Sequence, residues 1–182
     1  LEKAINDSLN EEKFIEDSIM LADGKILNGT LWFIHSANSP YIGVSKAVDT
    51  SKVNAILKSK SAKDIFNFRR YKFLWSKEVE EYKTSQSFKG HSLMAIEIPS
   101  SGEPKINGED VVNAFQSFDQ KSKPSVSLSF NSNMADVWSK WTEQKTNKII
   151  AIVLDDQVFS APVIRQKITG GSTEISGGFE TI

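Results

Sequence analysis

Apolar residues recur every four positions at Leu1, Ile5 and Leu9, and Ile15 and Ile19 resume the spacing after a polar stretch, which predicts helix from Leu1 to Asp23. Asp23-Gly24 and Asn28-Gly29 are turn signals, Leu31–Ile34 is a strand-sized apolar run, and Ser36–Pro40 reads as a loop. Asp49 is placed to cap a helix carrying Val53, Ile56 and Leu57 on one face, with Asn54 and Lys58 outside. Tyr71, Phe73 and Trp75 alternate as in a strand, and so do Met94, Ile96 and Ile98. Between them Lys83–Gly90 is polar and turn-rich, and Pro99–Pro104 is a loop. Asn107 is expected to cap a helix bearing Val111, Phe115 and Phe118. Short strands and helices in alternation predict an α+β layer.

Lys121–Ser125, with Pro124 inside it, reads as a linker. Past it, Val126, Leu128 and Phe130 alternate with serines as in a half-buried strand. Asn133 is the expected cap of a helix whose Met134, Val137, Trp138 and Trp141 share a stripe, with Asp136 in the first turn. Ile149–Leu154 is apolar throughout, as a central strand buried on both faces would be. Asp155-Asp156-Gln157 then turns the chain into a returning strand beginning at Val158-Phe159.

Composition narrows the function classes. With 22 basic and 23 acidic residues and a net charge of −1, the chain has no global attraction for nucleic acid; its tightest basic cluster, Phe68–Lys72, reads as a solvated strand edge. Without cysteine there are no disulfides, thiolate metal sites or cysteine nucleophiles. No apolar run is long enough to span a bilayer. The start, Leu1-Glu2-Lys3, has neither an initiator Met nor a signal-peptide core and reads as the middle of a longer protein.

Candidate chemistry is sparse. His35 and His91 lack a second ligand at metal or triad spacing. Asp155 and Asp156 could serve acid–base work, but at a hairpin tip such residues are turn formers first. Gly170-Gly171 and Gly177-Gly178 open no amphipathic helix, so positive-φ turns explain them better than a phosphate loop. Trp138 and Trp141 read as core rather than as a ligand platform. The expectation is no catalytic, cofactor or metal site.

The stretch Ile149–Phe179 resembles SecD proteins of the bacterial Sec export machinery. The resemblance lies in Ala151–Asp155, then Ser160-Ala161-Pro162, Ile168-Thr169-Gly170-Gly171 and Ile175-Ser176-Gly177-Gly178-Phe179 in order; Asp156 departs from the glycine usual there. Val126–Thr142 also looks like the family. Val48–Asn54, Phe73–Ser76 and Val111–Gln120 resemble the inserted head of Bacteroidetes-type SecD or fused SecDF. The resemblance implies an N-terminal helical insertion over 1–40, a small α+β head over 41–120, and the second half (βαββ) of a ferredoxin-like base over 124–182. It implies a periplasmic part of an inner-membrane protein that binds unfolded preprotein and couples its movement to the proton gradient. Its partners would be the Sec translocon channel and a SecF-type subunit, with no nucleic acid and no small-molecule substrate. Lys121, Ser122, Lys123 and Pro124 would be the hinge between head and base. Two alternatives remain open: a purely structural translocon-docking domain, and a small periplasmic hydrolase using Asp155, Asp156 and a distant His.

Overall fold

The computed structural model describes residues 15–16, 30–33, 39–82, 87–119 and 121–176. The chain divides into two compact units, Leu1–Gly102 and Glu103–Ile182. The division therefore falls at Gly102 rather than at 120–124. The segment expected over Leu1–Asp23 lies mostly outside the described residues, but Ile15–Glu16 is strand (β1), paired antiparallel with Trp32–Phe33 (β2) rather than helical.

In the first unit, β2 pairs with β3 (Tyr41–Lys46), β3 with β6 (Phe88–Glu97), and β6 with β4 (Tyr71–Ser76), all antiparallel. A short β5 (Glu80–Tyr82) continues along β6 beyond β4. The register changes between β4 and β5, so residues 77–79 bulge out of what is otherwise one long strand. Side chains stitch this bulge. Ser76 Oγ donates to the Glu78 carbonyl at 2.9 Å, Ser92 N–H donates to Ser76 Oγ at 2.9 Å, and His91 Nδ1 bonds the Ser76 carbonyl at 2.8 Å. Lys83–Gly90, expected to be turn-rich, contributes Phe88–Gly90 to β6 because these residues complete the pairing with β5.

Helix α1 (Thr50–Leu57) lays Val53, Ile56 and Leu57 against Leu31 and Leu93, with Phe73 and Trp75 beside them. Trp75 Nε1–H donates to Asn54 Oδ1 at 2.9 Å, so burying the indole strands no donor. Asp49 precedes α1 without making the expected side-chain cap; its carboxylate is taken by Lys52 Nζ at 2.6 Å. Helix α2 (Lys60–Ile65) is capped by Ser59, whose Oγ accepts from Ala62 N–H at 3.2 Å.

The second unit begins with a correction. Asn107 forms a capping box, but around a single 3-10 turn, Gly108–Asp110. Val111–Phe118 then runs as strand β7, not as a helix. The helical spacing of Val111, Phe115 and Phe118 is outweighed by β-branched and aromatic residues finding a partner in β8 (Pro124–Phe130). Lys121, Ser122 and Lys123 make the turn of that hairpin and Pro124 opens β8, so they are no linker between units. Lys-Ser-Lys-Pro is polar in either role. What decides the turn is Asp119, whose Oδ1 accepts from Lys121 N–H and Lys123 N–H, each at 2.8 Å.

Strand β11 (Ser172–Ser176) pairs with the other side of β8, giving an antiparallel sheet in the order β11-β8-β7. Helix α3 (Ser132–Gln144) packs Trp138 edge-on to Phe130 at 5.6 Å between ring centroids, with Trp141 beside Trp138. Its cap is Asn131, not Asn133, with Oδ1 accepting from Met134 N–H at 2.9 Å. Ile149–Leu154 is not a central strand. Only Ile152–Leu154 (β9) is strand, in a hairpin with β10 (Gln157–Ser160), and Leu154 is 55% exposed. Ile149 and Ile150 instead follow residues 162–164 irregularly, with Ile150 N–H donating to the Pro162 carbonyl at 3.0 Å. The architecture is α+β with antiparallel sheets, and strand, helix and hairpin follow one another after Pro124.

Candidate binding surface

In the β11-β8-β7 sheet the central strand places Val126, Leu128 and Phe130 on the face that α3 covers, since Phe130 meets Trp138 there. Cross-strand partners share a face, so Ile175 of β11 joins them from one side, and Ala114, Gln116 and Phe118 of β7 from the other. Along its outer side β7 has no strand partner among the described residues.

The turn fixes which backbone groups face outward. Asp119 N–H donates to the Lys123 carbonyl at 2.8 Å, directed into the hairpin. Antiparallel pairs alternate between hydrogen-bonded and open, so the N–H and C=O groups of Phe118, Gln116 and Ala114 point away from β8. Val112, Phe115 and Phe118 are 64%, 51% and 58% exposed on the same strand. An eight-residue edge with unpaired backbone and three large apolar side chains is the surface feature that proteins ordinarily blunt.

The sequence-predicted site residues are scattered. Ser160 ends β10, with its Oγ donating to the Ser176 carbonyl at 3.4 Å, and Ala161-Pro162 follows it. Gly170 and Gly171 have φ of 86° and 68°. A Cβ on Gly171 would also come within 2.9 Å of Ala135 Cβ on α3, so glycine lets the turn approach the helix. Gly177 and Phe179 lie outside the described residues. Asp155 and Asp156, both at positive φ (48° and 59°), form the exposed tip of the β9–β10 hairpin. His35 lies outside the described residues, and His91 is engaged with the bulge. Among the described residues no group of three or more His, Asp or Glu could hold a metal.

Among the described residues, two phenols and one carboxylate depart from their usual ionisation. Burial, with the Glu80 carboxylate nearby, pushes Tyr41 and Tyr82 up. Tyr82 OH donates to Glu80 Oε2 at 2.8 Å and accepts from Ser92 Oγ–H at 2.7 Å, so the phenol stays protonated and serves as a structural link. The Lys123 N–H, followed by that of Lys121, holds Asp119 below the usual carboxylate value. Sequence reasoning missed β7 as an edge because its spacing imitated a helix; the signal available was its β-branched and aromatic content.

An α+β unit whose distinctive surface is an open strand edge has the equipment of a binding module. The family model described as SecDF, P1 head subdomain, matches residues 84–181, and the chain belongs to that family. The match runs through 120–124 and takes in most of the residues that the resemblance had placed in a base. The chain is similar to the protein translocase subunit SecDF of Thermus thermophilus, 46% identical over 76 residues, which cover 42% of this chain and 10% of that protein. It is also similar to the subunit SecD of Acetobacter pasteurianus, 39% identical over 99 residues, which cover 50% of this chain and 19% of that protein. The chain thus spans between a tenth and a fifth of these two relatives. A solved structure described as "Structure and function of a membrane component SecDF that enhances protein export" is 46% identical with a TM-score of 0.37, covering 41% of this chain and 34% of that one. Another, "Crystal structure of SecDF in Super-membrane-facing form", is 26% identical with a TM-score of 0.39, covering 75% of this chain and 19% of that one. No helix among the described residues is long and apolar enough to cross a membrane.

Proposed function

We propose that this chain is a periplasmic preprotein-binding segment of a SecD-type export subunit, and that it holds the exported chain as an added strand on the outer edge of β7. The open, apolar β7 edge carries this reading. An exported chain is unfolded and of no fixed sequence, so its receptor must recognise what all polypeptides share. Backbone pairing does so, with exposed Val112, Phe115 and Phe118 adding apolar contact without demanding one side chain. The translocon channel, a SecF-type partner and coupling to the proton gradient belong to the longer protein in this proposal. Movement of the bound chain would come from displacement of the whole segment, since Lys121–Pro124 are engaged within a hairpin.

Gln116→Pro tests the edge. It removes one outward N–H while leaving the pairing with β8 intact, which an edge strand tolerates. Fluorescence anisotropy with a labelled, unstructured peptide from the mature part of an exported protein should show binding to the wild-type chain and to Gln116→Ala. Gln116→Pro should bind about tenfold more weakly, with an unchanged circular dichroism spectrum. Equal affinity of the proline and alanine variants would remove β7 as the receptor.

A further inference from the structure

In the first unit the C-terminal end of α1, helix α2 and the loop after it enclose an open hollow of about 670 Å³. Its floor is Leu57, Ile65, Phe66 and Phe68, with Ile65 50% exposed. The two phenylalanines pack edge-on to each other and against Phe73, at centroid distances of 5.1 to 6.2 Å, so the floor is held by its own ring contacts. Lys58, Lys63 and Arg69 stand at the rim, exposed, and none has an anionic partner among the described residues. Asp64 is the one acidic residue lining the hollow. Residues 58–72 carry Lys58, Lys60, Lys63, Arg69, Arg70 and Lys72 against Asp64 alone, although the chain as a whole has a net charge of −1. Arg70 is drawn off by Glu97 at 3.0 Å, and Lys58, Lys63 and Arg69 are the cations of this stretch that line the hollow.

We infer that this hollow is a docking surface for an anionic phospholipid membrane. Charge complementarity selects the partner: cations ring an apolar floor with an exposed isoleucine, matching a surface whose phosphates lie just outside its acyl chains. A peptide added as a strand would call for an unpaired strand edge, and the lining comes from helix and loop. Single-stranded nucleic acid would call for free ring faces, and these rings are spent on one another. The surface is independent of the β7 reading and needs no part of it.

Flotation of the 182-residue chain with vesicles of phosphatidylethanolamine, with and without phosphatidylglycerol, tests it. The chain should float only with phosphatidylglycerol present, and less as salt is raised. Each of Lys58→Gln, Lys63→Gln and Arg69→Gln should weaken binding about fivefold, and the triple variant should stay at the bottom of the gradient. Ile65→Ser should shed the binding that survives at high salt. A control triple, Lys140→Gln, Lys145→Gln and Lys148→Gln, removes equal charge elsewhere and should float like the wild type. Failure of the wild-type chain to float, equal flotation with neutral vesicles, or undiminished binding by the first triple variant would overturn the inference. So would displacement from the vesicles, at constant ionic strength, by inorganic phosphate or by an acidic peptide.

Discussion

The hydroxyl of Thr142 donates to the Trp138 carbonyl at 2.9 Å and accepts from Ile168 N–H at 3.0 Å, so one fully buried side chain ties α3 to the segment leading into the Gly170-Gly171 turn. Nothing in the helical stripe of Met134, Val137, Trp138 and Trp141 flags it, because a threonine beside an apolar stripe reads as a border residue. Asn131 poses a related problem. The pattern points to Asn133 as the cap, but the helix already starts at Ser132, and extended backbone at Asn131 makes that residue the cap. Asn131→Ala should therefore cost about 1 kcal/mol of stability, whereas Asn133→Ala, at an exposed helical position, should stay within about 0.5 kcal/mol. Chemical denaturation of the two variants checks this, and a larger loss at Asn133 would contradict the assignment.

Among the elements, those with clean alternation or a full helical stripe were legible: α1, β4, β8, α3 and the β9–β10 hairpin lie where the pattern puts them, within a few residues, while β6 reaches back from Met94 to Phe88. Strand β7 and Ile149–Leu154 were not, because apolar spacing says how often a residue is buried and not which partner buries it. The β7–β8 turn was misread for another reason. Its stabilising contacts are backbone N–H groups accepted by one carboxylate, and composition cannot show that geometry. Those contacts give the turn a pH dependence. The Asp119 pKa is lowered on folding, so its contribution is present above the unfolded carboxylate value and lost as pH falls through the folded one. Wild type should melt above Asp119→Ala at neutral pH, with the gap closing under acid. A gap independent of pH would show that the carboxylate charge is not involved.

For the molecule as a whole, the sequence contained the family and its α+β class, while the compact units divide elsewhere than its linker signals suggest. Pro and Lys cluster at 121–124 as in a linker, but the compact units part at Gly102, within the polar loop Pro99–Pro104. Loops and hairpin turns share one vocabulary of small, polar and cyclic residues, so only the pairing of Val111–Phe118 with Pro124–Phe130 separates the two cases. The open edge of β7 was invisible for the same reason, since an edge exists only once its sheet has been assembled.

That edge has a mechanical consequence. A strand held by a row of backbone bonds yields one bond at a time when it is lifted from one end, but must break several together when it is dragged lengthwise. The two ends of β7 are marked by Glu109 and by the Lys121 turn, and the chain has no native thiol, so Glu109→Cys and Lys121→Cys each provide a unique handle. If an exported chain rides on β7, pulling it by one end should peel it off at low force from the handle beside that end and shear it off at several times that force from the far handle. Equal rupture forces in an optical trap would mean that the passenger is not laid along the strand. A grip of this kind would hold against backsliding along the strand and let go when tilted.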